Sequence, residues 1–267
     1  MKFLDKYKGL KPSAKEMAAV AEYLWHKGWA ERNAGNMSVR LGDMIVDPDV
    51  LKDAKQIPLD RAYPSLAGQF LLLSGSDTRM RNLAKKPAKN TCLIHIGEEG
   101  KDYRIFKDAA SILPTSELPT HLAIHQQLIW DGRKEKALLH THVNEVIALT
   151  QIAEYCSKDS IDNLLWGMHP ETIMFIPDGI GFVPYTLPGT DEIAEKTLRA
   201  LKGHRVIIWE KHGCLAVGED LFECFDQIDI LAKSANIFFT CRNAGFEAEG
   251  MTTEQLNEIK NINNANL

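Results

Sequence analysis

At 267 residues, 45% hydrophobic and 25% charged, the chain has the composition of a globular protein with a sizeable core. A formal net charge of −5, a pI near 6.0 and no long basic run exclude a general nucleic-acid-binding surface. No run approaches the ~20 apolar residues of a membrane span, Met1 to Leu10 lacks the apolar centre of a signal peptide, and five cysteines without a CxxC pair suit a reducing compartment, so the cytoplasm is the expected location.

Ser13-Ala14-Lys15-Glu16 reads as a capping box, followed by Met17, Val20, Ala21 and Leu24 at helical spacing and by Gly28 as a stop. Met37 to Leu41 alternates as a strand. Gly42 to Leu66, with Pro48, Pro58 and Pro64, reads as an irregular surface excursion. Phe70 to Leu73 is a buried strand running into Ser74-Gly75-Ser76-Asp77, small residues that suit either a plain turn or a backbone nest for an anion. Thr91–Ile96 and Asp102–Phe106 flank Gly97 to Gly100 as a hairpin. Pro119 fits only a first turn, so a helix carrying Leu118, Leu122, Leu128 and Ile129 starts at Ser116 or Glu117. Ala137 to His142 is a strand, and a helix follows from Asn144 to about Tyr155. Thr172 to Ile176 reads as a strand. Thr190 or Asp191 caps the next helix, Arg205–Trp209 and Cys214–Val217 are strands around the tight loop Glu210 to Gly213, and Asp220 to about Asn243 is the longest helix. The polar tail after Gly250 is expected to fray. Strands and helices alternate without a strict βαβ rhythm. The expected fold is therefore mixed α/β, one domain over residues 1–267, with a mainly antiparallel sheet covered by helices.

His140 and His142 stand two residues apart on a strand, so their side chains share a face with backbones roughly 6.5 Å apart. They suit either two ligands of one metal ion or a hydrogen-bonded core pair. His212, in a loop after an apolar strand and next to Gly213, is a third ligand or a surface histidine. His121 and His125 are spaced i,i+4 but lack the Glu of HExxH, so they pack or support a site from behind. His26, His95, His169 and His204 are read as ordinary structural residues. Glu117 lies in a first helical turn, where a carboxylate complements the helix dipole; Thr115 and Ser116 add hydroxyls and backbone N–H groups, the elements of an anion site.

Trp29-Ala30-Glu31-Arg32-Asn33-Ala34-Gly35-Asn36, Ser74-Gly75-Ser76, Pro114-Thr115-Ser116-Glu117-Leu118-Pro119, His140-Thr141-His142 and Pro188-Gly189-Thr190-Asp191-Glu192 occur in order between about residues 20 and 245. Together they resemble the class II aldolase/adducin family. The resemblance implies one Zn2+ per subunit held by His140, His142 and His212, with Glu117 touching the resting metal and acting as acid/base. It implies a sugar-phosphate substrate bound by Asn33, Gly75, Ser76, Thr115 and Ser116, with Asn36 close by, and a homotetramer in which Glu171 is supplied by the adjacent subunit. The implied reaction is reversible retro-aldol cleavage of a ketose 1-phosphate to dihydroxyacetone phosphate and L-lactaldehyde. Other activities of the family, a fuculose-1-phosphate aldolase or a pentulose-phosphate 4-epimerase, are alternatives, although the epimerases have Asp where this chain has Glu117. A metal-free adducin-like structural domain is the non-enzymatic one. One residue departs from the pattern: Asp77 stands where the best-known relatives have Gly, and its charge would repel a phosphate unless Arg79 or Arg81 offsets it or the side chain points outward.

Overall fold

The computed structural model of the chain describes residue 4 and residues 10–42, 54–107 and 112–265. Helix α1 (Leu10–Lys27) buries Met17, Val20, Ala21 and Leu24, the stripe its 3.6-residue period dictates. Ser13 lies inside this helix, so the capping box expected there is not its start; Gly28 ends it at φ +74°, a conformation that costs glycine little. Of the expected excursion from Gly42 to Leu66, residues 43–53 lie outside the described part. The remainder holds the short strand β2 (Gln56–Pro58) and a 3-10 turn, Pro64–Leu66.

The described strands form one nine-stranded sheet: β1 (Asn36–Gly42), β2 (Gln56–Pro58), β3 (Phe70–Ser74), β4 (Thr91–Ile96), β5 (Asp102–Phe106), β6 (Ala137–Thr141), β7 (Ile180–Val183), β8 (Val206–Trp209) and β9 (Gly213–Gly218). Their spatial order is β2-β5-β4-β3-β1-β6-β9-β8-β7. Every pairing is antiparallel except β7 with β8, which are joined through helix α8 (Asp191–Leu201), the kind of crossover that parallel neighbours require. Two short helices, α2 (Met80–Lys85) and α3 (Pro87–Asn90), link β3 to β4.

Strand alternation divides the core between the two faces of the sheet. Met37, Leu72, Leu139 and Ala216 face α1 and the long helix α9 (Leu221–Asn243), which contributes Phe225, Ile228, Leu231 and Ala235. Leu71, Leu73, Leu138, Leu215 and Val217 face the opposite side, covered by α4 (Leu118–Trp130) and α8. Both faces are therefore dry, which is why the central strands are apolar on both sides. The protein is a mixed α/β domain, as its sequence pattern predicts.

Three further assignments need correction. The helix expected from Asn144 to about Tyr155 is α5 (Asn144–Leu149) followed by a 3-10 turn at Ala153–Tyr155. The strand expected at Thr172–Ile176 is a helix, α7 (Pro170–Phe175). Pro170 in its first turn and Glu171 beside the N-terminal dipole outweigh the β-branched Thr172 and Ile173, whose burial a helix satisfies equally well. It follows α6 (Lys158–Met168), which Ser157 caps by accepting from the Ser160 N–H. The tail does not simply fray: α10 (Thr253–Ala265) forms, with Lys260 over the Trp166 ring at 4.8 Å. Among the described residues no helix is long and apolar enough to cross a membrane.

Candidate metal centre

Strand β6 delivers His140 and, one residue past its end, His142. Its antiparallel partner β9 begins at Gly213, directly after His212, and pairs Thr141 with Cys214. The β8–β9 connection is a tight loop in which Lys211 takes φ 59°, the left-handed turn that short hairpin loops commonly need, and its N–H is held by Thr150 Oγ1 at 2.9 Å. Gly213 is obligatory in a different way: a Cβ there would run into the carbonyl oxygen of Thr141. Without it the His212 loop could not close onto the end of β6.

The three imidazoles form a triangle. Ring centroids lie 5.3 Å apart for His140–His142 and 4.9 Å for each pair with His212, and one ligand nitrogen from each residue falls within 4.8 Å of the others. His140 donates from Nδ1 to the Cys214 carbonyl at 2.9 Å, which leaves its buried Nε2 without a hydrogen-bond partner among the described residues; the buried Nδ1 of His212 is likewise unpartnered. His142 Nδ1 bonds Glu31 Oε1 at 2.7 Å. In His140 an unpaired lone pair on one side and a fixed N–H on the other are the arrangement a divalent ion requires of an imidazole ligand. Burial holds His140 well below the ordinary imidazole range and pushes His212 down to about 4, so both rings are neutral at physiological pH. Trp209 packs on two of them, 4.5 Å from His140 and 5.2 Å from His212. These donors fit a zinc-like ion: three imidazole nitrogens are the protein ligand count of a catalytic zinc site.

The loop between α1 and β1 is pinned to this triangle. Trp29 O accepts from both Thr141 Oγ1 at 2.7 Å and the His142 N–H at 3.1 Å, and a Cβ on Gly35 would sit 3.1 Å from the His140 carbonyl oxygen. This anchoring brings Glu31 to His142 and Asn36 to Glu117. Glu117 is the N-terminal cap residue of α4, but its side chain does not cap the helix; Oε2 instead accepts from Asn36 Nδ2 at 3.0 Å. Burial raises the Glu117 carboxyl above the usual range, opposed by the Asn36 hydrogen bond and by the nearby His142.

The remaining sequence-derived residues are distributed unevenly. Thr115 is buried with its hydroxyl accepting from the Glu117 N–H at 3.3 Å; Ser116 and Asn33 are exposed. Gly75 and Ser76 do not offer the amides a nest needs, because a β-bridge from Gly75 to Pro114 uses that edge. Gly75 N–H bonds Asn90 O at 2.9 Å, Ser76 N–H bonds Leu113 O at 2.8 Å, and Thr115 N–H bonds Ser74 O at 3.2 Å. Asp77 is exposed at φ 56°, a backbone conformation that glycine adopts freely and Asp tolerates, so the departure at this position keeps the turn. Arg81 lies over the Trp25 ring at 5.0 Å. Glu171 lies on α7, exposed and bonded to His169 at 2.7 Å, outside the histidine triangle. The Cys214 carbonyl and Trp209 have no sequence signature, and nothing in the stretch Trp29 to Asn36 singles out Glu31; they come to the site through the pairing of β6 with β9 and the pinned loop. His121 and His125, read as packing or supporting residues, are fully buried against Ser38.

A family profile described as the Class II Aldolase and Adducin N-terminal domain matches residues 15–239. The chain is 42% identical over 260 residues to a protein named rhamnulose-1-phosphate aldolase from Bacteroides thetaiotaomicron, covering 96% of both chains. A protein of the same name from Listeria monocytogenes is 32% identical, with 92% of this chain and 90% of that one covered. Among solved structures, a sugar-phosphate aldolase from Thermotoga maritima superposes with a TM-score of 0.77 at 32% identity, covering 90% of this chain and 99% of that chain. The match spans β1 to α9, the stretch that assembles the histidine triangle and Glu117, and so the chain belongs to the class II aldolase and adducin family.

Proposed function

We propose that the protein is a zinc-dependent L-rhamnulose-1-phosphate aldolase, cleaving its substrate reversibly to dihydroxyacetone phosphate and L-lactaldehyde. The observation that carries this reading is the conjunction of three converging imidazoles with one partly buried carboxyl group, Glu117, held by Asn36. The name and 42% identity of the Bacteroides relative support the choice of substrate. One ion per subunit, bound by His140, His142 and His212, would supply the positive charge that stabilises an enediolate without a Schiff base.

The protein's own groups do the rest. As the C3–C4 bond breaks, its electron pair stays on C3 and the C4 hydroxyl loses its proton to become the aldehyde. Glu117 then delivers a proton to C3; in the condensation direction it removes that proton, the work of a general acid/base. Glu171 handles the proton at the aldehyde-side oxygen, supplied by a neighbouring subunit of a homotetramer. Its exposure on α7, beside the exposed Met174 and Phe175, supports a role in a subunit contact. Asn33, Gly75, Ser76, Thr115 and Ser116 hold the phosphate and the adjacent hydroxyl, with Asn36 beside them. Since the Gly75, Ser76 and Thr115 amides are engaged, the side chains of Asn33, Ser76, Thr115 and Ser116 carry those contacts and Gly75 contributes by its lack of a side chain. The five free cysteines support a cytoplasmic location.

The test is release of dihydroxyacetone phosphate by the zinc-loaded protein from L-rhamnulose 1-phosphate and, in parallel, from L-fuculose 1-phosphate. We expect kcat/KM to favour the rhamnulose ester by about tenfold or more. Equal or reversed preference would remove the substrate assignment.

A further inference from the structure

Behind Glu117 lies a row of buried polar groups that acid–base chemistry at its carboxylate does not itself require. The Asn36 amide stands between Glu117 and His121, with Nδ2 3.0 Å from Glu117 Oε2 and Oδ1 2.6 Å from His121 Nε2. Nδ1 of His121 is 2.7 Å from Ser38 Oγ, which is 2.8 Å from Nε2 of His125. Asn36, Ser38, His121 and His125 are each 7% exposed or less. Two elements supply all four: positions 36 and 38 share one face of β1, and positions 121 and 125 share one face of α4.

These bonds are consistent in one sense only. A carboxylate accepts, so Asn36 turns its NH2 to Glu117 and its carbonyl oxygen to His121. That oxygen needs a donor, so His121 carries its proton on Nε2; burial, which pushes this ring down to about 3, keeps it neutral and leaves Nδ1 an acceptor. The Ser38 hydroxyl therefore donates to His121, and His125 donates from Nε2 to the Ser38 oxygen. Nδ1 of His125 remains a buried lone pair without a partner among the described residues, in the field of the Arg40 guanidinium. A nearby cation favours a bare lone pair there. Running every bond backwards would point an N–H at that cation and set an amide oxygen against the Glu117 carboxylate. Apolar side chains would fill the space between β1 and α4 without needing matched partners, so the row calls for a role beyond filling.

We propose that His121, fixed by Ser38 and His125, is a positioning residue for Glu117: it prevents the Asn36 amide from flipping and so fixes one carboxylate oxygen, leaving the other free to exchange a proton with the substrate carbon. The consequence for catalysis rests on the reading of Glu117 as the acid/base residue; the direction of the row does not.

Two measurements test it. In the zinc-loaded protein, His121→Phe is expected to lower kcat by about ten- to a hundredfold, with KM and metal content unchanged. His121→Gln, whose amide NH2 can donate where the ring Nε2–H does, is expected to restore most of that loss, and Ser38→Ala to lower kcat in the same direction but less. Unchanged kcat in His121→Phe, or a Gln variant no better than the Phe variant, overturns the proposal. Independently of any variant's folding, nitrogen-15 NMR or neutron diffraction of the wild-type holoenzyme should find His121 and His125 neutral and protonated on Nε2. A proton on Nδ1 of either ring overturns it. A Glu117→Ser variant with full turnover would instead remove the acid/base reading while leaving these tautomers as stated.

Discussion

The imidazole of His140 donates its Nδ1 proton to the carbonyl oxygen of Cys214 at 2.9 Å, so the strand that follows the His212 loop sets the orientation of the ring on β6. The backbone of β9 thus aims the Nε2 lone pair of His140 at the space shared with His142 and His212. Metal loading should accordingly depend on each corner of the triangle. The wild-type protein should carry about one zinc per chain, and His140→Ala or His212→Ala less than about a tenth of that, read by elemental analysis after dialysis. Full zinc content in the His212→Ala protein would contradict the site.

Glu31 reaches the centre by its hydrogen bond to His142, whose Nδ1 it holds at 2.7 Å. Exposed carboxylates on a protein surface usually contribute little, but one that orients a metal-binding imidazole acts on the ligand's direction and basicity. Glu31→Gln should weaken zinc affinity by about ten- to a hundredfold in a chelator competition, with the melting temperature of the metal-free protein unchanged. Unaltered affinity would show that the contact is incidental.

Glu117 stands apart from the triangle's nitrogen donors and binds Asn36. Replacing it with Ser should cut turnover by about 10²–10⁴-fold and leave zinc content nearly intact. The exchange of the C3 hydrogens of dihydroxyacetone phosphate with solvent should fall in parallel, because that partial reaction needs the base and no aldehyde. Near-normal exchange in Glu117→Ser would assign the proton transfer elsewhere.

His121 is held neutral, with its imidazole pushed down from 6.5 to about 3 by burial, and His125 is shifted in the same direction. As pH falls through 6.5 the unfolded chain takes up protons on these rings while the folded chain does not. Their contribution to stability is therefore complete above pH 6.5 and is lost progressively between 6.5 and about 3. At pH 5 the loss for His121 is about 2 kcal/mol. Urea unfolding at pH 7.5 and pH 5 should show a larger drop for the wild type than for a His121→Phe/His125→Leu protein; equal drops would contradict the neutral assignment.

Much of this was legible in the chain. The His140–Thr141–His142 spacing fixes a shared face because strand side chains alternate, and the apolar runs on β3, β6 and β8 anticipate a sheet covered on both sides. The approach of His212 was not derivable from spacing, since it depends on the register of β6 against β9 and on one glycine that lets two backbones touch. The i,i+4 pairing of His121 with His125 was visible, but their partner Ser38 lies some eighty residues away on β1. Thr172–Ile176 misled because β-branched residues suit strands and buried helix faces alike. The segment after β3, which its composition left as either a plain turn or an anion nest, has its amides engaged by distant chain. Local composition says nothing of a segment such as Leu113–Pro114, which arrives from elsewhere and takes up the amides of Ser76 and Gly75's edge.

Trp209 is in van der Waals range of two of the three imidazoles, with its indole N–H anchored to Thr197 Oγ1 at 3.0 Å. The centre therefore carries a chromophore of its own. Loading the triangle with paramagnetic Co2+ in place of Zn2+ should dim the emission of this buried indole, and its fluorescence then reports occupancy of the site in solution, without substrate and without turnover.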